Sequence, residues 1–450
     1  MSDDTGKENQ DSRAPGAGTR SALEKTLSSI MVAGREILAT RKLSLPTRTD
    51  PVESLVDLCK ELLDHRGEAS GLALAGEITE CYRALPDAGR LAFFKALAEQ
   101  FEVDGEAVLA AADAYRDSKK VECLREIARS IEAPRQKLFR RINMAPNGTQ
   151  TLVAMRGNLL KVLRSNPDLK GVDVDLKHLF VSWFNKGFLE MRRIDWSSPA
   201  LVLDKIIAYE AVHEINGWDD LRSRLREDRR CFAFFHPAFE NDPLVFVEIA
   251  LTDTTPGAIA PLLQQDRELP NLEKVSTVVF YSISNCHPGL GGVSFGNFLI
   301  KNVVEELKKE LPTLKTFVTL SPIPGFRSWL QQADLSELVS EELAEKVVQP
   351  LGSVIDSAVY DTLEKLCAHY LLQEKSGGLA RDPVARFHLG NGASLQGLHR
   401  AADLSAKGRE QSAGIMVNYL YDLPKIEINH EAYFEKGQIS VDRSISRLLS

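Results

Sequence analysis

The sequence predicts an α+β multidomain protein in which an all-helical N-terminal bundle is followed by a mixed α/β domain. Two observations predict this division: apolar residues recur at helical spacing up to about residue 184, and short apolar runs rich in Val, Ile and Phe begin only after about residue 185. The length of 450 residues accommodates two or three domains. Residues 1–21, rich in Gly, Asp and Ser, predict a disordered tail, which leaves 22–184 for the helical domain and 185–450 for the mixed domain.

The clearest predicted helix begins at Asp50-Pro51. Asp50 suits the cap, Pro51 suits the first helical position and Gly67 marks a stop. The apolar face of this helix carries Val52, Leu55, Val56, Cys59, Leu62 and Leu63. Similar spacing recurs at Leu91, Phe94, Leu97 and Phe101, at Leu124, Ile127 and Ile131, and from Asp175 to Phe184. Thr149 is predicted to cap a helix after the Asn147-Gly148 turn. Because no reactive cluster appears in this half, we interpret it as a scaffold or an oligomerisation module.

The second half combines predicted strands with predicted helices. The strand candidates are Cys231–Phe235, Leu244–Leu251, Val275–Ile283 and Thr316–Leu320, which are short and rich in β-formers. Helical stretches fall between and after them, notably over 295–310 and 355–373. This alternation predicts a mixed α/β domain.

Charge and composition argue against several classes of protein. The 55 Lys and Arg residues stand against 63 Asp and Glu, and the resulting net charge of −8 does not favour a nucleic-acid binder. No apolar run reaches the length of a membrane-spanning helix, and no signal peptide is visible, so we expect a cytoplasmic protein. The six cysteines form no CxxC pair and the histidines show no HxH or HxxxH spacing, so no metal site is expected.

A glycine-rich loop separates the third predicted strand from a predicted helix. It reads Gly289-Leu290-Gly291-Gly292-Val293-Ser294-Phe295-Gly296. A strand, a glycine loop and a helix N-terminus together aim backbone amides at a phosphate or pyrophosphate. The spacing matches neither a P-loop nor a dinucleotide fingerprint, and an ordinary turn is the alternative.

A serine follows the next predicted strand. The chain runs from Thr316–Leu320 into Ser321-Pro322-Ile323-Pro324-Gly325-Phe326, where two prolines and a glycine restrict the backbone. Ligands of α/β sheets bind at the carboxyl ends of strands, so Ser321 is a candidate site residue. The alternative is an ordinary hydroxyl that ends a strand.

A histidine lies in a second restricted segment, over 382–393, which we interpret as a constrained loop. His388 stands between Phe387 and Leu389, just before Gly390-Asn391-Gly392. It is either a structural, hydrogen-bonded histidine or a proton donor or acceptor that acts near neutral pH. Ser321 and His388 are able to pair, but no GxSxG motif surrounds the serine, so a hydrolase triad is not indicated.

These segments together resemble the malonyl-CoA decarboxylase family along nearly the whole chain. The strings that carry the resemblance are Tyr209–His213, Phe280–Ser284, Gly289-Leu290, Gly292-Val293, Phe298–Lys301, Leu320–Phe326, Pro383–Ala385, Phe387–Leu389, Asn391–Ala393 and Asn418-Tyr419. The resemblance implies that the mixed domain is a GNAT-like catalytic domain. It also implies conversion of malonyl-CoA to acetyl-CoA and carbon dioxide by a homo-oligomer, a tetramer or dimer of dimers.

The resemblance also assigns residues. Ser321 and His388 occupy the catalytic positions of the family. The malonyl-CoA ligand is expected at Gly291, Gly292, Val293, Ser294, Phe295, Gly296 and Asn297, and Tyr421 matches a tyrosine near the site. Animal members carry Glu at the position of Ser294 and Gln at that of Gly291, so only the backbone-amide role carries over to this chain. No cofactor is implied, because the thioester is itself the electron sink.

Two other functions remain open on sequence grounds. An acyltransferase that moves acetyl or malonyl groups to an amine shares the glycine loop. A non-enzymatic acyl-CoA sensor or scaffold would use the helical domain beside a degenerate site, although Ser321 and His388 are both intact.

Overall fold

The structure is a computed structural model that describes residues 26–27, 29–37, 50–293, 298–349 and 356–449. The tail predicted over 1–21 therefore lies outside the described residues. The chain divides into two compact units. The first unit contains the residues up to Trp183 together with His287–Val293, and the second contains Phe184–Cys286 and the chain from residue 294 onward.

The first unit is helical. Residues 26–27 and 29–37 are helical. The α-helices that follow are Pro51–Asp64, Glu68–Ala84, Asp87–Gln100, Gly105–Ser118, Val121–Ser130, Pro134–Asn143, Gly148–Leu163 and Lys170–Trp183. The carboxylate of Asp50 accepts a hydrogen bond from Val52 N at 2.7 Å, as its position as a helix cap predicts. The predicted cap at Thr149 is wrong. This helix starts at Gly148, and the Thr149 hydroxyl donates instead to Asn143 Oδ1 at 2.7 Å.

The second unit contains ten strands within the described residues. They are β1 (Glu190–Ile194), β2 (Arg229–Phe235), β3 (Val245–Thr252), β4 (Thr277–Asn285), β5 (Thr316–Thr319), β6 (Ser321–Pro322), β7 (Lys375–Ser376), β8 (Leu379–Ala380), β9 (Ser394–His399) and β10 (Met416–Leu420). Its α-helices are Ala200–Tyr209, Trp218–Arg224, Ala260–Leu263, Phe298–Glu310, Phe326–Leu330, Glu341–Val348, Ser357–Leu372, Pro383–Gly390, Ala406–Ser412, Ile426–Lys436 and Arg443–Ser446. The four predicted strands appear within two residues of their expected starts and ends, whereas β1, β9 and β10 were not predicted.

One mixed sheet organises this unit. Its strand order is β1-β2-β3-β4-β5-β10-β6, and β9 pairs with β10. The β4–β5 pair is parallel and the other pairs are antiparallel. The α+β fold class predicted from the sequence, with helices first and a mixed sheet second, is confirmed.

The strand pairing changes where β5 ends. The parallel pairing of β4 with β5 stops at Phe280 and Thr319, although β4 itself continues to Asn285. The chain then crosses from β5 into β6, which pairs with β10 through Ser321 and Val417. This crossing point therefore brings together the carboxyl end of β5, the short strand β6 and the middle of β10.

Helices pack against both faces of the sheet. On one face the helices Phe298–Glu310 and Ser357–Leu372 contribute Val303, Leu307, Leu363 and Leu366 to the main core. On the other face Ile206 and Leu221 pack against Phe235 and Phe246 of strands β2 and β3. None of the helices within the described part of the chain is both long and apolar enough to cross a membrane.

Candidate active site

Ser321 is the first residue of β6 and follows closely after the end of β5. The antiparallel pairing with Val417 holds its backbone in place, and Ile323 anchors the following turn in the core. The side chain is buried, with only 5% of the residue exposed. Ser321 is thus a buried hydroxyl near the carboxyl end of a strand, at a place where α/β sheets bind ligands.

His388 lies on a helix, not in the constrained loop that the sequence analysis predicted. The helix Pro383–Gly390 begins with Asp382, whose Oδ1 accepts hydrogen bonds from Val384 N and Ala385 N at 2.9 Å each. An Asp followed by Pro is a helix-start signal. The glycines at the end of this short helix favoured the prediction of a loop instead. A helix fixes the direction of the imidazole more firmly than a loop would.

The structure brings three of the predicted site residues together. Ser321 Oγ lies 3.2 Å from His388 Nε2, and His388 Nδ1 lies 2.8 Å from the Tyr421 hydroxyl. Ser321 Oγ also donates to Thr319 Oγ1 at 2.9 Å. The result is a line of hydrogen bonds that runs from Tyr421 through His388 and Ser321 to Thr319.

Two residues that were not predicted hold this line in place. Thr319 Oγ1 also accepts a hydrogen bond from Tyr419 N at 3.2 Å, which ties β5 to β10. The Tyr419 ring stacks on His388, with ring centroids 4.7 Å apart and an interplanar angle of 24°. The imidazole is therefore held by a stacked ring and by hydrogen bonds at both nitrogens. No sequence motif marks Thr319, because its role depends on a contact with a strand about a hundred residues away.

Burial sets the protonation state of this group. Desolvation lowers the pKa of His388 to about 3, so its imidazole is neutral at neutral pH. Burial also raises the pKa of Tyr421, which stays a protonated donor. Because the Ser321 hydroxyl donates to Thr319, the hydrogen-bond network assigns a proton to His388 Nε2 and leaves Nδ1 as the acceptor from Tyr421.

The Asp382 side chain links two segments, the one that contains Ser321 and the helix that contains His388. Its Oδ1 caps the helix, and its Oδ2 accepts a hydrogen bond from Gly325 N at 3.2 Å. The Asp382 side chain also pairs with Tyr370, and the residue is only 1% exposed. A Cβ at Gly325 would lie 2.1 Å from the Tyr370 hydroxyl, so only glycine fits there. One buried carboxylate thus fixes both segments relative to each other.

The glycine loop is only partly described. Gly291, Gly292 and Val293 belong to the first compact unit, whereas Ser321, His388 and Tyr421 belong to the second. Gly292 is exposed and adopts a φ of 72°, a left-handed conformation that favours glycine. Four other predicted ligand residues, Ser294, Phe295, Gly296 and Asn297, lie outside the described residues. Within the described ranges, no group of three or more His, Cys, Asp or Glu side chains is arranged to hold a metal ion.

Comparison with known proteins decides the family. Residues 187–450 match the model of the malonyl-CoA decarboxylase C-terminal domain, and residues 101–184 match that of the malonyl-CoA decarboxylase N-terminal domain. The chain belongs to the malonyl-CoA decarboxylase family. The predicted resemblance is confirmed, and so is the enzyme class, since malonyl-CoA decarboxylases are carboxy-lyases.

Individual relatives of the malonyl-CoA decarboxylase family agree with this assignment. A mitochondrial malonyl-CoA decarboxylase of Anser anser anser is 33% identical over a 418-residue alignment that covers 84% of this chain and 83% of that protein. The crystal structure of malonyl-CoA decarboxylase from Rhodopseudomonas palustris is 49% identical, with a TM-score of 0.84, and the match covers 88% of this chain and 99% of that one. The corresponding structure from Agrobacterium vitis is 46% identical, with a TM-score of 0.80 and the same coverage.

Proposed function

We propose that this chain converts malonyl-CoA to acetyl-CoA and carbon dioxide, and that Ser321 and His388 carry out the reaction. The observation that carries this proposal is the buried line of hydrogen bonds between Tyr421, His388 and Ser321 in a chain of this family. The line offers a positioned proton and a positioned hydroxyl among buried side chains.

The chemistry needs a place for the electrons of the bond that breaks. When the bond between the α-carbon and the carboxylate breaks, carbon dioxide leaves and the electron pair passes to the α-carbon. The thioester carbonyl delocalises this pair as an enolate, so the substrate supplies its own electron sink. The protein then has to orient the carboxylate, donate a hydrogen bond to the enolate oxygen and protonate the α-carbon. Loss of one such oxyanion donor costs about 3–4 kcal/mol in comparable enzymes.

His388 is proposed as the proton donor. Each turnover consumes one proton, and a malonyl carboxylate beside His388 would raise the pKa of the imidazole, because a negative charge favours the cation. The imidazolium then returns to the neutral state when it protonates the carbanion. Ser321 orients His388 or the carboxylate, and the proton travels either directly from Nε2 or through the serine hydroxyl.

The loop at Gly291, Gly292 and Val293, with Ser294, Phe295, Gly296 and Asn297 after it, is proposed to bind malonyl-CoA through backbone amides that are not paired within the loop. Gly291 N and Val293 N donate to Pro288 O and Leu290 O, which leaves Gly292 N as the donor among the first three residues. Amides at a helix start favour phosphate oxygens without a net positive charge on the protein. The GNAT-like relation of the mixed domain and a cytoplasmic location stay predictions.

Turnover of malonyl-CoA in the presence and absence of an amine acceptor distinguishes this decarboxylase from an acyltransferase and from an acyl-CoA sensor. The protein is incubated with malonyl-CoA labelled in the free carboxyl group, with and without an amine acceptor. We expect equal amounts of labelled carbon dioxide and acetyl-CoA, at a rate that does not depend on the amine. Transfer of malonyl groups to the amine would support the acyltransferase instead, and binding without turnover would support the sensor.

Replacement of Asp382 by Asn tests how the two catalytic segments are held together. Asn retains an oxygen to cap the helix but places an NH₂ group against Gly325 N, so the tie to the Ser321 segment is lost. We expect kcat to fall roughly 10–100-fold, because small misplacements of reacting groups have effects of this size. The KM for malonyl-CoA is expected to stay within about twofold, since the CoA groups bind elsewhere.

The matched control for this variant is Asp356→Asn. Asp356 caps the helix Ser357–Leu372 through Ala358 N, is exposed, and has no contact with the site among its described partners. Steady-state kinetics and thermal unfolding of both variants separate the two effects. Equal activity of the Asp382→Asn and Asp356→Asn proteins would show that Asp382 does not position the site.

We propose further that the chain forms a homo-oligomer, a tetramer or dimer of dimers, through its helical unit. The hairpin of helices Gly105–Ser118 and Val121–Ser130 buries almost nothing: Ala111 is its single buried residue. Its large exposed apolar side chains are Leu109, Val121 and Leu124, and Ile131 follows them. Charges of both signs flank this apolar face, so a second copy of the same hairpin offers a complementary surface.

Replacement of Leu109 by Asp tests the oligomer. Leu109 is 62% exposed, so a carboxylate there leaves the protomer intact but disfavours apolar contact between copies. We expect a shift to smaller species in analytical ultracentrifugation. The control is Ala114→Asp, an exposed position about 140° around the same helix. An unchanged mass for Leu109→Asp would rule out this face as the contact.

A further inference from the structure

The glycine loop is held by a buried arginine of the helical unit. Arg156, on the helix Gly148–Leu163, is 2% exposed. Its Nη1 donates to Gly289 O at 2.7 Å and to Gly291 O at 2.8 Å. Its Nε donates to Asp173 Oδ1 at 2.7 Å, which supplies the counter-charge. The loop therefore has two of its carbonyl groups turned toward one guanidinium.

This contact determines the direction of the loop amides. In a trans peptide the C=O and the following N–H point in opposite directions, so Gly291 O facing Arg156 turns the Gly292 N–H away from it. The neighbouring amides are occupied, since Gly291 N donates to Pro288 O and Val293 N donates to Leu290 O. Gly292 N has no acceptor among the described residues, and Gly292 is exposed. The arginine thus leaves one outward amide available to a ligand.

A cation lies beside this amide. A Cβ built on Gly292 would lie 3.2 Å from Lys177 Nζ, so the ammonium reaches the surface next to the glycine. Lys177 is exposed, and it forms no hydrogen bond or ion pair with any described residue. An outward N–H next to an unpaired ammonium favours an anion.

We propose that the helical unit takes part in binding the phosphate groups of CoA: Arg156 positions the Gly292 amide, and Lys177 supplies a positive charge beside it. This inference rests on the proposed function, because that function supplies the ligand. It gives the helical unit a role in substrate binding besides oligomerisation. Arg156 acts through the loop and is a positioning residue, whereas Lys177 is a ligand-binding residue.

A second buried arginine of the same unit provides the matched control. Arg135 is 3% exposed; its Nε donates to Asp175 and its Nη1 to Glu102, both at 2.6 Å. It has no contact with the glycine loop among its described partners. Arg135→Gln and Arg156→Gln each remove a buried, ion-paired guanidinium, so a purely structural role predicts similar losses of thermal stability and no difference in ligand affinity.

The experiment compares CoA with pantetheine, which lacks the phosphates and the adenosine, by calorimetric titration, together with the KM for malonyl-CoA. We expect Arg156→Gln to weaken CoA binding and raise KM about tenfold, with kcat changed less than twofold and pantetheine binding unchanged. Arg135→Gln should bind CoA like the wild type. Lys177→Gln should weaken CoA binding severalfold without loss of thermal stability. The same variant should make CoA binding less dependent on salt concentration.

The outcomes separate the inference from the function on which it rests. Equal CoA affinity for the Arg156→Gln and Arg135→Gln proteins would overturn the role of Arg156. If Arg156→Gln does not fold, Lys177→Gln decides, and wild-type CoA affinity in that variant overturns the proposal. If the wild-type protein does not bind CoA at all, the proposed function fails together with the inference.

Discussion

Replacement of His388 by Asn is expected to lower kcat about a hundredfold or more while CoA affinity stays nearly unchanged. Positioned proton transfer contributes roughly 10²–10⁴-fold to such reactions, and Asn does not supply a transferable proton. The Asn side chain occupies less volume than the imidazole, so the stack on Tyr419 is also lost. The measurement is steady-state turnover of malonyl-CoA together with the dissociation constant of CoA.

The matched control is a histidine that touches the same helix but not the site. His430 Nδ1 lies 2.6 Å from Gly390 O, at the end of the helix that carries His388. His430→Asn is expected to keep kcat within about threefold of the wild type, since one exchanged hydrogen bond changes little. Near-normal turnover of His388→Asn would remove the histidine from the chemistry and leave it a structural role.

Replacement of Ser321 by Ala is expected to reduce kcat by about two orders of magnitude. The change removes the acceptor for His388 Nε2 and the donor to Thr319, so the imidazole loses one of the two hydrogen bonds that hold it. The effect should appear in kcat rather than in KM, because the phosphate groups of the ligand are proposed to bind at the glycine loop and not at Ser321. Initial rates over a range of malonyl-CoA concentrations measure this split.

A buried serine elsewhere in the same unit separates chemistry from stability. Ser412 is fully buried and donates to Gly408 O at 3.1 Å, within its own helix. Ser412→Ala and Ser321→Ala each remove one buried hydroxyl, and each is expected to cost about 1 kcal/mol of stability. If Ser321 is only structural, its variant will lose stability as Ser412→Ala does and will keep normal specific activity.

The sequence predicted much of this architecture because the patterns that matter are local. The Asp50-Pro51 helix start and the apolar runs of β2 to β5 are determined by neighbouring residues, and each appears close to its predicted place. Strand β10 was missed although Met416–Leu420 is apolar, since its polar Asn418 interrupts the run. The helix that carries His388 was misinterpreted as a loop, because the glycines at 390 and 392 outweighed its Asp-Pro start.

The contacts that position the site are not local, and this is why sequence reasoning missed them. Thr319 meets Tyr419 across two strands, and Asp382 meets Gly325 across 57 residues. Arg156 reaches the glycine loop over more than 130 residues, so no motif near the loop indicates it. Ser321 and His388 were predicted because each lies in a restricted segment, but only the fold shows that they lie within hydrogen-bond distance.

The most direct test of the central claim follows the carboxyl carbon and the new proton in one reaction. Malonyl-CoA labelled with ¹³C in its free carboxyl group is turned over in D₂O by the wild-type protein, with an enzyme-free sample to correct for exchange at the α-carbon. Decarboxylation through a protonated carbanion predicts labelled carbon dioxide and acetyl-CoA that carries one newly added deuteron, in equal amounts. Unchanged malonyl-CoA, or label retained on a transferred malonyl group, would contradict it.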